Sequence, residues 1–290
     1  MNIIEFKNVS KWYGEGADRT EVLSNINLTI KEGEFLAIVG FTGSGKTTLV
    51  NLMTGLLEPS EGEVLYRGEP IEGTSPERGI IFQNYSLLPW LNVYQNIALS
   101  VNQVYADWDK DKKDEHIRTF IEMVNLTPAT NKYPKELSGG MRQRVSVARV
   151  LATDPELLLM DEPLGALDAL TRGNLQEEIL KIWGANKRTA VLITNDVDEG
   201  IFMADRVIPL NPGPNATLGP GYKIELDRPR NKKALNTDPH FKEVRTDILN
   251  YLVELGEASK LKKSDKYELP DLKPIAPNSR SFPFFRKRAV

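Results

Sequence analysis

Gly40-Phe41-Thr42-Gly43-Ser44-Gly45-Lys46-Thr47 is the stretch on which the reading of this chain turns. It follows the apolar burst Phe35-Leu36-Ala37-Ile38-Val39 and precedes an apolar segment ending near Gly55, the setting of a strand, a tight turn and a helix. Its glycines let successive backbone N–H groups turn inward around a chain of phosphates. Lys46 is placed to neutralise β and γ phosphates, and the Thr47 hydroxyl suits Mg²⁺. A flexible glycine-rich turn is the plain alternative, and the flanking strand and helix decide against it. The stretch, with Thr48 after it, is therefore the candidate site for a nucleotide's phosphates.

Outward from this loop, similar apolar bursts recur at Gly79-Ile80-Ile81-Phe82, Glu156 to Met160 and Ala190 to Ile193. Each leads into polar or glycine-rich residues, which suits strands buried on both faces of a largely parallel sheet. Leu157-Leu158-Leu159-Met160-Asp161-Glu162 delivers two carboxylates to a strand end, where ligands of parallel sheets bind. Asp161 is expected to hold Mg²⁺ and Glu162 to polarise the attacking water. Before the loop, Ile4-Phe6-Val9 and Val22 to Ile30 alternate as antiparallel strands. Asp109 to Val124 and Gly139 to Ala152 look helical. The fold class is thus α/β, a phosphate-loop NTPase core with an antiparallel β subdomain and a helical subdomain.

Composition narrows the partners. A formal net charge of -3 gives no call for nucleic acid. The absence of cysteine removes disulfide, Cys-metal and thiol redox chemistry. Met1-Asn2-Ile3-Ile4-Glu5 is no basic stretch leading into an apolar one, and no run of about 18 apolar residues occurs, so the chain is not expected to cross a membrane or be exported.

Leu137-Ser138-Gly139-Gly140-Met141-Arg142-Gln143-Arg144 opens a helix with free N–H groups pointing outward, a second phosphate-binding start in a chain that already has one. A simple helix cap explains Ser138 equally well. Taken with the loop and the Asp161-Glu162 strand, this Leu-Ser-Gly-Gly order resembles the ATPase subunit of ABC transporters over roughly Met1 to Leu226. The resemblance implies ATP sandwiched between two subunits, with Ser138, Gly139 and Gly140 facing the partner's nucleotide. It also implies that Tyr13 in Trp12-Tyr13-Gly14 stacks on adenine, with Trp12 the weaker alternative, and that Gln83 contacts Mg²⁺ or the water. Asp168, in Gly165-Ala166-Leu167-Asp168, is implied to reach across the dimer. One residue departs from the family: its strand ends in Thr-His-Asp, whereas this chain reads Thr194-Asn195-Asp196. An Asn amide can donate to a phosphate but can neither carry charge nor shuttle a proton.

Phe82-Gln83-Asn84-Tyr85-Ser86-Leu87-Leu88-Pro89-Trp90-Leu91-Asn92-Val93 is similar to the same region of importers for nitrate, bicarbonate, cyanate, sulfonates and taurine. There Leu87 to Trp90 would receive a helix of the membrane subunit. The resemblance implies permease subunits, an indirectly acting periplasmic or lipoprotein solute-binding protein, and a peripheral position on the cytoplasmic face of the inner membrane. Asn195 beside an intact Ser138-Gly139-Gly140 favours a heterodimer with a second ATPase subunit over a homodimer. Two other readings stay open: a soluble ABC protein of translation or DNA repair, and a catalytically impaired partner that completes another subunit's site. The expected division is a nucleotide-binding domain over 1–226 with a helical insertion over about 90–150, a helical extension over 227–259 and an extended basic tail over 260–290. Within the extension, Phe241, Val244, Ile248, Leu252 and Leu255 recur at helical spacing, and Tyr222 to Leu226 reads as a last strand.

Overall fold

The computed structural model describes residues 1–264 apart from Ala166 and Lys187. An antiparallel sheet is built from β1 (Asn2–Tyr13), β2 (Thr20–Lys31), β4 (Glu61–Tyr66) and β5 (Glu69–Pro70), in the order β2-β1-β4-β5. A second sheet runs β10-β9-β3-β8-β7-β6, from β3 (Phe35–Gly40), β6 (Arg78–Ile81), β7 (Leu157–Asp161), β8 (Thr189–Thr194), β9 (Arg206–Leu210) and β10 (Tyr222–Lys223). Its strands are parallel except for β10. Every residue of β3, β7 and β8 is buried, which is why they read as unbroken apolar bursts rather than alternating strands.

Helix α1 (Lys46–Thr54) packs in the core between the two sheets. Helices α5 (Ala169–Asn186) and α6 (Val197–Met203) and the C-terminal α7 (Lys232–Leu235) and α8 (Pro239–Ser264) cover the other face of the parallel sheet. Gly200 lets α6 lie close to that sheet, since a Cβ there would come within 3.1 Å of Val39.

The helical subdomain contains α2 (Val93–Val104), α3 (Lys110–Met123) and α4 (Gly139–Leu151), packed around Ile97, Val101, Ile117, Ile121 and Val145. Asp109 and Ser138 cap α3 and α4, as the two helical stretches in the sequence foretold. The first helix is an addition. Asn92 and Gln95 form a reciprocal cap on α2, and the fully buried Asn96 donates to the carbonyls of Leu88, Leu91 and Asn92 and accepts from Leu88 N–H. That one side chain fixes the Leu88–Leu91 turn, from which Trp90 projects with 68% of its surface exposed.

Two expectations at the C-terminal end need correction. The last strand is only Tyr222–Lys223, because the carbonyls of Ile224 and Leu226 turn to the buried Arg230 guanidinium instead of a ladder. And α8 continues to Ser264, past the expected boundary at 259, since Ala258, Lys260, Leu261, Lys262 and Lys263 are good helix formers and no Pro intervenes. The rest of the expected tail, 265–290, lies outside the described residues.

Candidate active site

Four parallel strands bring their C-terminal ends together, and each carries residues singled out in the sequence. The phosphate loop follows β3. Gly40 has no room for a side chain, since a Cβ would meet the Leu210 carbonyl oxygen at 2.7 Å. Gly45, at φ 96°, starts α1 from the left-handed region with no side-chain cap, leaving the first-turn amides for an anion. A Cβ on Gly45 would also strike Val22 at 2.9 Å. The Ser44 hydroxyl is buried without a hydrogen-bond partner, an orphan that a phosphate oxygen would satisfy.

Lys46 is only 4% exposed. Its ammonium donates to Gly40 O at 3.1 Å, Phe41 O at 2.8 Å and Asn195 Oδ1 at 2.7 Å, and lies 3.5 Å from Glu162. Burial pulls its pKa down, opposed chiefly by the Glu162 charge.

Glu162, just past β7, has φ 45°, an uncommon conformation for a non-glycine residue, and its N–H donates to Ile193 O at 2.9 Å. Its carboxylate meets three partners: Asn195 Nδ2 donates to Oε1 at 2.8 Å, Gln83 Nε2 to Oε2 at 3.3 Å, and Lys46 stands beside it. Asn195 is thus a two-ended bridge, accepting from Lys46 and donating to Glu162. Asp161 is buried, which raises its pKa, and its hydrogen bond with Thr47 opposes that shift. A buried carboxylate beside a hydroxyl is a hard, sparse oxygen set of the kind Mg²⁺ takes together with phosphate oxygens. Gln83, Glu162, Arg172, Asn195, Asp196 and Arg245 are among the residues lining an open cleft of ≈ 520 Å³.

Ser138, Gly139 and Gly140 are not among that lining. The Ser138 hydroxyl accepts from Met141 N–H as the cap of α4, and Gly140 packs so closely that a Cβ would come within 2.4 Å of Thr171. Asp168 caps α5 through Thr171 N–H at 3.0 Å, a bond that lowers its pKa. Tyr13, 44% exposed, pairs with Thr20 at the open end of the β1–β2 ladder, whose Val22 and Leu23 lie against Gly45. Trp12 has Arg19 stacked on its ring at 3.6 Å, whereas the Lys11 ammonium stands 5.5 Å from the Tyr13 ring, so the more exposed Tyr13 is the less covered of the two. Phe41, Thr42 and Gly43 are exposed on the loop, and in the first turn of α1 Thr47 is exposed and Thr48 partly covered.

Sequence reasoning gave no role to several residues that shape this site. Arg149 of α4 donates to the carbonyls of Ser86 at 2.6 Å and Tyr85 at 3.2 Å, pinning two consecutive left-handed residues just after Gln83. Arg172 of α5 holds the Leu164 and Leu167 carbonyls and reaches toward Asp196. Arg245 of α8 pairs with Asp198 at the start of α6. An Arg on a polar helix face carries no local signal of such contacts.

A family model described as ABC transporter matches residues 23–165. The chain is 43% identical over 246 residues to the bicarbonate transport ATP-binding protein CmpD of Synechococcus elongatus, covering 85% of this chain and 88% of that protein. It is 42% identical over 249 residues to the nitrate import ATP-binding protein NrtD of the same species, covering 86% and 91%. Among solved structures it is similar to the ATP-binding cassette MJ0796, a dimer in a post-hydrolysis state bound to ADP and Pi. There the identity is 30% and the TM-score 0.69, over 78% of this chain and all of that one.

Proposed function

We propose, from the premise that this chain belongs to the ATP-binding proteins of ABC transporters, that it binds and hydrolyses ATP to drive import of a small anion of the nitrate or bicarbonate class. The observation that carries the ATPase reading is the meeting of Lys46, Gln83, Glu162 and Asn195 at the ends of β3, β6, β7 and β8. The similarity to bicarbonate and nitrate import ATP-binding proteins supports the solute class.

In this reading the unmatched amides of the first turn of α1, the Ser44 hydroxyl and the Lys46 ammonium take the phosphates. Thr47, Asp161 and Gln83 would hold Mg²⁺, which supplies neutralisation of phosphate charge. Glu162 accepts a hydrogen bond from the attacking water and aligns it, while Asn195 Nδ2, which donates to Glu162 in this structure, exchanges that bond for one to a γ-phosphate oxygen. Tyr13 stacks on the base. Ser138, Gly139 and Gly140 serve the nucleotide of a second subunit, as Asp168 serves the subunit contact. Residues 1–226 form the nucleotide-binding unit and the following helices an accessory to it.

The turn from Leu87 to Trp90, half-buried at Leu87 and Leu88, exposed at Pro89 and Trp90 and braced by Asn96, is the seat for a helix of the permease. No helix among the described residues is long and apolar enough to cross a membrane, so attachment at the cytoplasmic face would come through that permease. A solute-binding protein would act only through the permease.

A specific observation favours a second, compatible reading. Asn195 stands where the resemblance implies a His that could add its charge to that of Lys46 at the γ-phosphate, so two copies of this chain would make two sites with the same deficit. Pairing with a related ATPase that keeps the His gives one impaired and one competent site, the latter completed by Ser138 of this chain. Affinity purification from solubilised membranes, with identification of the bound subunits, tests both. Permease subunits and a second ATPase with the His are expected. Recovery with ribosomes or DNA-repair proteins would refute the importer, and two copies of this chain with no second ATPase would refute the heterodimer.

A further inference from the structure

Along the wall of the cleft runs a polar chain, buried at Thr194, Gln176 and Glu199 and reaching the surface at Lys232, that the reaction does not use. Glu199, in the first turn of α6, is 6% exposed. The Thr194 hydroxyl donates to its Oε2, and the amide of Gln176 on α5, itself 2% exposed, donates to its Oε1 at 2.7 Å. Lys232 of α7 in turn donates to Gln176 Oε1. The same Thr194 oxygen accepts the N–H of Asp196 at 3.1 Å, so one hydroxyl anchors the residues before and after Asn195. Asp196 then caps α6, accepting from Asp198 N–H at 2.9 Å and Glu199 N–H at 3.2 Å.

A carboxylate in a helix's first turn is favourable in water, where it faces the positive end of the dipole. Burying it is unfavourable unless it is fully hydrogen-bonded. Burial raises the pKa of Glu199, and its bonds with Thr194 and Gln176 act against that rise. A helix start that needed only a cap already has Asp196.

We propose that Glu199 is a positioning residue of the nucleotide site. With Thr194, Gln176 and Lys232 it forms a chain that holds Asn195 in register with Lys46 and Glu162 and ties that register to α5 and to the C-terminal extension. The inference rests on the reading that Asn195 faces the γ-phosphate. Its consequence is selective: loosening Glu199 costs affinity for a nucleotide with a γ-phosphate and spares one without.

The test is equilibrium binding of AMP-PNP and of ADP, each with Mg²⁺, to the full chain. Glu199→Gln keeps shape but offers one acceptor where two donors arrive, so it weakens AMP-PNP about fivefold to tenfold, the scale of one misaligned hydrogen bond, and moves ADP less than about twofold. Thr194→Val reproduces this, Thr194→Ser restores the unaltered ratio, and Lys232→Met gives a smaller shift in the same direction. Because Glu199 acts through Asn195, the pair Asn195→Ala with Glu199→Gln is no worse than Asn195→Ala alone. The proposal is overturned by any of three results in variants that remain folded: an unchanged AMP-PNP to ADP ratio, equal loss of both nucleotides, or full additivity with Asn195→Ala. If Glu199→Gln does not fold, Thr194→Val against Thr194→Ser decides by the same ratio. Failure of the unaltered chain to bind either nucleotide would instead overturn the nucleotide reading, and this inference with it.

Discussion

Replacing Lys46 with Ala separates the two tasks its ammonium performs. In the structure it has three acceptors within 3.1 Å, Gly40 O, Phe41 O and Asn195 Oδ1, and it lies 3.5 Å from Glu162. Removing it strips a cation from Glu162, whose side chain is 20% exposed. Water therefore reaches that carboxylate, and the cost falls below the roughly 3–5 kcal/mol of a fully buried broken pair. A destabilisation of about 1 kcal/mol follows, or roughly 2–4 °C in Tm for a chain of this size. Binding suffers more. Two charge-assisted bonds to phosphate oxygens contribute about 1.5–3 kcal/mol each, part of it offset because the ammonium must leave its internal acceptors. A net loss near 3 kcal/mol corresponds to about a hundredfold rise in Kd. Isothermal titration with Mg²⁺ and AMP-PNP reads this directly, with circular dichroism melting as the control. A folded Lys46→Ala chain that binds within about threefold of the unaltered protein would refute the assignment of Lys46 to the phosphates.

Glu162→Gln keeps the phosphate contacts while removing the charge that aligns water, so it should retain ATP and accumulate a closed dimer in size-exclusion chromatography; loss of affinity equal to that of Lys46→Ala would contradict the division of roles. Leu88→Glu, on the turn braced by Asn96, should leave nucleotide binding intact and release the chain from its permease, because an unpaired charge buried in an interface costs several kcal/mol, roughly; normal assembly in a pull-down would show the seat lies elsewhere. Glu156 links β7 to the antiparallel sheet, and its pKa is lowered by hydrogen bonds from the Tyr66 hydroxyl and the Arg67 guanidinium. A lowered carboxylate contributes stability above its ordinary 4.5 and loses it as pH falls through the folded value. Glu156→Gln should therefore lower Tm at pH 7, with the gap to the unaltered chain closing below pH 4.5; a gap that is constant with pH would rule this out.

Much of the site was legible because its residues sit where buried strands end. Phe35 to Val39, Leu157 to Met160 and Ala190 to Ile193 announce themselves by apolarity, and the polar residues that follow them are displayed by the fold rather than buried in it. The bounds of the helix at Val93–Val104, inside the expected helical insertion, were hidden because its anchor, Asn96, is a polar residue that is fully buried, and polarity reads as exposure in a sequence. Glu199 was hidden for the opposite reason. An acidic first-turn residue is ordinary on a solvent-facing helix start, and only the approach of Gln176 and Thr194 from other elements reveals its burial. Arg149, Arg172 and Arg230 likewise spend their guanidiniums on backbone carbonyls that are distant or sequence-silent. Asn195 at the end of its strand could be seen in the sequence, but its bridge from Lys46 to Glu162 could not, since that depends on the register of β8 between β3 and β7.

The central claim, that the Leu-Ser-Gly-Gly turn of this chain completes a nucleotide site on another subunit, is tested most directly by ATP hydrolysis of the membrane-purified complex carrying Ser138→Arg in this chain. Ser138 is exposed at the start of α4 and outside this chain's own cleft, so the bulky cation should leave this chain's nucleotide binding unchanged. It should nonetheless remove most turnover, on the order of tenfold or more, by blocking the facing site, whereas Asn195→His in the same complex should leave turnover similar or raise it. Undiminished hydrolysis in the Ser138→Arg complex would contradict the account.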